Sequence, residues 1–228
     1  VGLQNMMMLM YDDPAFLHAI MKRFLAGHMR RIDFLEANGL FTLNNDWSYV
    51  GSGGIGYCRE LPRRTIAPGS PVHAEDLWLH DESQESVGVS PDMFAEIIYP
   101  YQAPVHARFG MNCYGCCEAL ESRWHVVKGI PNLRRVSVSA WADERKMAEF
   151  LGDRFVYSRK PNPADLATPV LNEDAARRSI RTTLEATRGG CIVELVMKDN
   201  HTIGKNPQNV VRWVRIAREE IERLYGTP

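Results

Sequence analysis

Three thiols and a carboxylate lie close together in this chain, at Cys113, Cys116, Cys117 and Glu118. They fall in the stretch Phe109 to Trp141, which reads as a strand running into a loop, then a helix and a second strand, Leu133–Ser139. In such a β-α-β unit the loop opens at the carboxyl end of a parallel strand, where barrels and open sheets of this class place their ligands. Zinc takes thiolate, imidazole and carboxylate, and a catalytic zinc needs three protein ligands with one position open. Cys116 and Cys117 with the distant His201 are the candidate metal-binding residues. Cys113 falls outside that set, because an extended chain rising about 3.3 Å per residue leaves it roughly 13 Å from Cys117. Free cysteines also serve as small buried hydrophobes, and the residues leave that alternative open. Cys191 opens a strand, so it belongs at the opposite end from the site.

The other candidates are the residues just past the strands, which an α/β architecture brings to one face: Asn45 and Asp46, Ser139 to Asp143, Arg159 to Asp165, and Lys198 to His201. Glu118, Asp46 and Glu194 are the candidate catalytic carboxylates. Glu194 lies inside the apolar run CIVELVM, where an unpaired carboxylate would cost several kcal/mol, so it must meet polar company. Arg159, Asn162 and Trp141 are the candidate substrate-binding residues, since an arginine can clamp a carboxylate through two bonds. Lys160 beside Arg159 can share that role. The remaining histidines, in helices or irregular segments, are assigned none.

The elements that must position these groups follow from capping and periodicity. Asp13-Pro14 opens a helix of some two dozen residues, with Phe16, Leu17, Ile20, Met21, Phe24 and Leu25 on one face, closed by Asn38-Gly39. Leu40–Leu43 is a short β-like run leading to the glycine-rich GSGGIG, Gly51 to Gly56. No helix follows those glycines, so a flexible loop over the site is the expectation and a phosphate cradle is not. Arg63 to Glu85 fits no regular element. Ser90-Pro91-Asp92 starts a second helix, kinked by Pro100 and Pro104. Further on, a helix near Glu121–Lys128, the strand Leu133–Ser139, a helix from Asp143 to Gly152 and the strand Phe155–Ser158 alternate. A helix from Asn172 to Gly189, the strand Cys191–Met197 and a last helix after Asn206-Pro207 complete the pattern. Five strands alternating with helices predict a parallel α/β sheet. A β/α (TIM) barrel needs eight strands and about 250 residues, so the chain reads as a partial barrel, residues 1–228 forming the carboxyl-terminal part; an open sheet is the alternative.

With 228 residues, 45% of them hydrophobic, a sizeable core can form. Lys and Arg total 27 against 28 Asp and Glu, which gives no net field toward nucleic acid or an anionic membrane. The apolar run Met6–Met10 is too short for a signal peptide or a span. Five cysteines without framework spacing fit a reducing compartment, so a cytoplasmic location is expected.

The segments IPNLRRVSVSAWAD, YSRKPNPADL and ELVMKDNHTIGKNPQNVVRWV together resemble the uroporphyrinogen decarboxylase superfamily, which also contains cobalamin-dependent methyltransferases. The likeness runs over most of the chain and is strongest after Ser90. It implies a β/α barrel with its cleft at the carboxyl ends of the strands, and His201, Ile203, Pro207 and Asn209 are similar to the family's terminal HGI…TP…N segment. In the methyltransferase branch, zinc held by a His-x-Cys pair and a later cysteine activates a thiol that takes methyl from a corrinoid on a partner protein. Gly115-Cys116-Cys117 aligns with that pair. Cys117 matches its cysteine, the histidine is absent, and His201 or Glu118 would have to complete the set. In the decarboxylase branch no metal is needed and basic groups bind the acetate side chains of a porphyrinogen. The resemblance thus implies a methyltransferase acting on a thiol or similar small-molecule acceptor, with a decarboxylase or a non-catalytic partner of a corrinoid protein as alternatives.

Overall fold

The structure, a computed structural model, describes residues 2–226. The chain starts with two helices, α1 (Leu3–Asp12) and α2 (Pro14–Ala37). Asp13 separates them and caps the second, its Oδ1 accepting the Phe16 amide at 3.0 Å with Pro14 in the first helical position. Asn38 ends α2 as expected, its side-chain amide donating back to the Phe34 carbonyl at 2.7 Å. A hairpin, β1 (Tyr49–Gly51) and β2 (Gly54–Ile55), follows. Five parallel strands then form one sheet in sequential order: β3 (Trp78–Asp81), β4 (Met111–Tyr114), β5 (Leu133–Val138), β6 (Val156–Arg159) and β7 (Ile192–Leu195).

The crossover from β3 to β4 is one irregular helix. Ser90 caps α3 (Pro91–Met93), a π-helical turn occupies Phe94–Ile98, and α4 (Tyr99–His106) completes it. Pro100 has no amide to bond the Glu96 carbonyl, and its ring would crowd that oxygen; the wider turn lies immediately ahead of it. The remaining crossovers carry α5 (Trp124–Val127), α6 (Glu144–Leu151) and α7 (Glu173–Thr187), and α8 (Gln208–Tyr225) packs on α7 after β7. Asp143 and Asn172 cap α6 and α7 through the amides of Lys146 and Ala175. Among the described residues, no helix is long and apolar enough to cross a membrane.

Strand alternation gives the sheet two unlike faces. Tyr114, Val136, Val138 and Tyr157, all fully buried, pack against Phe94, Trp124, Val127, Met147 and Leu151 from the helices. The intervening residues Cys113, Arg135, Ser137, Ser158 and Glu194 face the other way, and the hairpin region covers them. Ser52 Oγ lies 3.3 Å from Ser137 Oγ, Arg135 donates to the Ile55 carbonyl at 2.9 Å, and the Trp78 indole donates to the Gly56 carbonyl at 2.8 Å. The glycines serve this close approach. A Cβ on Gly51, whose φ is 149°, would stand 2.2 Å from His80 Cγ. Gly51, Ser52, Gly54 and Gly56 are buried, so GSGGIG is a packed cover of the polar face rather than a loose lid over the site.

Two expectations about strands are corrected. Leu40–Leu43 is not a strand; Phe41 and Leu43 instead pack beside Ile32, Ala74, Leu77 and Phe109. A strand, β3, lies inside the stretch assigned no regular element. It is only four residues long and ends in His80 and Asp81, so it carries little apolar signal. Asn44 stands in for a neighbouring strand along its outer edge, donating to the Trp78 carbonyl at 3.0 Å and accepting the Trp78 amide at 2.9 Å.

The α7–α8 contact is locked by Glu220, 1% exposed, whose carboxylate takes Arg181 at 2.7 Å, Arg223 at 2.9 Å and Arg177 at 3.1 Å. Arg181 above all, aided by Arg223 and Arg177 against the cost of burial, holds its pKa down to about 2. A folded-state pKa below the unfolded one gives stability that is present above the unfolded value and lost as pH falls through the folded one. Because the arginines are partly solvent-exposed, from 28% for Arg177 to 53% for Arg223, Glu220→Gln should cost about 2 kcal/mol at neutral pH rather than the full value of the shift. In urea unfolding at successive pH values, the difference from the parent chain should shrink as pH falls from roughly 4.5 toward 2.

Candidate functional site

The sequential order brings the ends of β4, β5, β6 and β7 to one edge of the sheet, around a cleft of about 500 Å³. Glu82, Gln84, Cys116, Cys117, Trp141, Lys160, Asn162, Lys198, Asp199 and His201 line it. A larger cavity of about 920 Å³ lies at the other end, lined by mainly apolar groups around Cys191 and α8. Cys191 is there, as expected.

Gly115, with φ of 91°, turns the chain sharply after β4, so Cys116 and Cys117 leave the plane of the sheet. Glu118 then folds back into the interior. At 1% exposure its two oxygens accept the Ser83 amide at 3.0 Å and the Cys116 amide at 2.8 Å. This carboxylate, expected to be catalytic, is spent joining the ends of β3 and β4, and it fixes the backbone that carries the thiols.

The two thiols stand 3.7 Å apart, and all five cysteines of the chain are free. Lys198, just past β7, places its ammonium 3.1 Å from Cys116 Sγ and 3.2 Å from Cys117 Sγ, and it also bonds Asp199. Cys117 donates to Asp199 Oδ2 at 3.2 Å. Burial pushes the Cys116 thiol up to about 12, reinforced by Glu82 and opposed by Lys198. Burial works against the Lys198 charge, yet the bonds to Asp199 and the thiols outweigh it and raise its pKa above the ordinary lysine value. Asp199 is correspondingly lowered: Lys198 and Cys117 overcome its desolvation. The set is a lysine cation held by a carboxylate and presented to two thiols.

Zinc does not fit this arrangement. Among the described residues, no three His, Cys, Asp or Glu side chains come together as a metal ligand set, and an ammonium occupies the space beside both sulfurs where an ion would sit. His201 does reach the cleft lining, but it joins Cys116 and Cys117 there without forming that set.

The remaining candidates separate. Trp141 sits on the rim, 74% exposed. Asn162 lines the cleft, although its side-chain oxygen is used to cap the Pro163–Leu166 turn by accepting the Ala164 amide at 3.0 Å. Arg159 faces the helices and not the cleft, donating to the Ser139 carbonyl and to Glu144 at 2.7 Å. One residue on, Lys160 faces the other way and lines the cleft. Asp46 is exposed in the turn before the hairpin, accepting the Ser48 amide at 2.8 Å, and it does not line the cleft. Glu194 lies within the buried polar face, 2.9 Å from Arg135 Nε and bonded by Ser158. It has the polar company its place in CIVELVM required.

Sequence reasoning missed Lys198, Asp199 and Glu82 as individual site residues. The first two stand in KDNH directly after an apolar strand, which was the available signal. Glu82 had none, because β3 itself was not legible.

No protein-family model matches this chain, and no curated protein is significantly similar to it.

The thiols should differ in reactivity. A thiol pKa of about 12 leaves Cys116 with roughly a thousandfold less thiolate than an unperturbed cysteine, so iodoacetamide near pH 8 should modify Cys117 first, as peptide mapping by mass spectrometry would read. Lys198→Met should slow Cys116 alkylation further, because it removes the ammonium that opposes the effect of burial on that thiol.

Proposed function

We propose that this chain forms part of a β/α barrel of the uroporphyrinogen decarboxylase superfamily and that it assists methyl transfer from a corrinoid on a partner protein to a thiol or similar acceptor. The observation that carries this reading is the Lys198 ammonium, held by Asp199 beside two thiols in the cleft at the carboxyl ends of the strands. The sequential order of five parallel strands supports the barrel, since a doubly wound sheet reverses its order at a switch point. Right-handed crossovers between sequential strands also keep the helices on one face.

The corrinoid supplies an electrophilic methyl group; this chain's residues prepare the acceptor. A thiol attacks as its thiolate, and an adjacent cation favours ionisation. Lys198 remains charged at neutral pH and lines the cleft, so it can pair with an acceptor thiolate as a metal would. Cys116 and Cys117 hold the ammonium in place, with Cys116 kept protonated by burial. The exposed Trp141 offers an apolar rim for the acceptor or for the partner.

The experiment is thioether formation from methylcobalamin and a small thiol, with zinc measured in parallel. Transfer without added zinc, lowered ~100-fold or more by Lys198→Met, is the expected result, because the lysine stabilises charge where it develops. Equimolar zinc lost in Cys117→Ser and His201→Ala would mean that a metal displaces the ammonium and would overturn the lysine's role. Absence of transfer with the corrinoid partner present would leave the metal-free decarboxylase reading, which the two cleft lysines, Lys160 and Lys198, favour as carboxylate binders. It would also leave the non-catalytic partner role.

A further inference from the structure

Lys160 is buried at the polar sheet face, 3% exposed, and the methyl-transfer reading gives it no chemistry. It follows β6 and shares a face with Ser158, to whose hydroxyl its amine donates. Ser158 in turn donates to Glu194, which is paired with Arg135. The amine therefore ends a chain of polar groups that runs beneath the sheet cover and opens at the cleft.

Among the described residues, no carboxylate is hydrogen-bonded to this amine directly; its hydrogen-bond partner is the Ser158 hydroxyl. The groups that face it electrostatically are Glu194 and Cys113, which favour its charge, and Arg135 and Lys198, which oppose it. Desolvation is the largest influence and brings its pKa down to about 8. A substantial neutral fraction then exists near physiological pH, as a nucleophilic lysine requires. Lys198, lining the same cleft, stays cationic and can hold a carboxylate.

We propose that the Lys160 amine is a second reactive group of the cleft, which condenses with the carbonyl of a 2-oxo acid to form an imine while Lys198 binds the adjacent carboxylate. The nitrogen lone pair forms the C–N bond as the carbonyl π pair moves to oxygen. One proton from nitrogen and one from solvent turn that oxygen into water. Water leaves as the C=N bond forms and the remaining nitrogen proton returns to solvent, so no oxidant or reductant enters the step. The assignment does not rest on methyl transfer, and the two readings can fail separately.

The test is reductive trapping on the full chain with pyruvate and cyanoborohydride, followed by peptide mapping. A pKa near 8 in place of the ordinary lysine value raises the neutral fraction at pH 7 by roughly 300-fold, so a carboxyethyl group should accumulate on Lys160 ahead of the exposed Lys22 and Lys146. Labelling should fall ~10-fold or more in Lys198→Met through loss of carboxylate binding, and the position of the adduct on Lys160 separates it from thiol chemistry. Because mapping is done on the parent chain, it needs no variant to fold. Label spread evenly over exposed lysines, or absent from Lys160 while they react, would overturn the proposal.

Discussion

Charge placed beneath a sheet has to be answered by charge, and the Arg135–Glu194 pair is where this protein meets that constraint. Either group alone on the polar face would carry a desolvation cost of several kcal/mol, and together they need further hydrogen bonds to complete their shells. Those bonds come from the Ile55 carbonyl on the hairpin and the Ser158 hydroxyl on β6, with the Trp78 ring lying 4.9 Å from the guanidinium carbon. The pair therefore dictates that a backbone segment must approach the sheet closely. Only a glycine-rich hairpin can do so, since a side chain at Gly51 would occupy the position of His80.

The same constraint reaches the cleft. Ser158 is shared between Glu194 and Lys160, which sets the lysine inside the protein and turned away from the helices. At the neighbouring strand ends the buried carboxylate of Glu118 serves two backbone amides and so holds Ser83 and Cys116 at fixed separation. The reactive groups thus rest on two carboxylates, Glu194 and Glu118, that are each paired or hydrogen-bonded, which helps keep a site from relaxing when its charges change.

The helices from α2 onward and four of the parallel strands are legible in the sequence because their signals are local, whereas α1, whose Met6–Met10 run carries no capping residue, is not. Asp13-Pro14, Ser90-Pro91, Asp143 and Asn172 each cap the helix they announce. The strands β6 and β7 carry short apolar runs bounded by turns, and β5 ends in the alternation Val136-Ser137-Val138. The count of five was reached through compensating errors: Leu40–Leu43 has the apolar content of a strand but no partner, while β3 has partners and little apolar content. Pairing is a long-range property, and a four-residue segment such as Trp78–Asp81 shows it only once Met111–Tyr114 lies alongside.

The division within the site has the same cause. Residue type and the position of each strand exit determined that Cys116, Cys117, Trp141, Asn162 and His201 meet in one cleft. What each group does there was decided by the tertiary structure. Arg159 and Lys160 are adjacent, yet strand alternation sends one to Glu144 and the other to the cleft. Cys117 and Lys198 are far apart in sequence but 3.2 Å apart in space, and that contact places an ammonium where thiols alone had suggested a metal. Chemistry-bearing residue types are properties of the chain; the charge beside each of them is a property of its neighbours, which only folding selects.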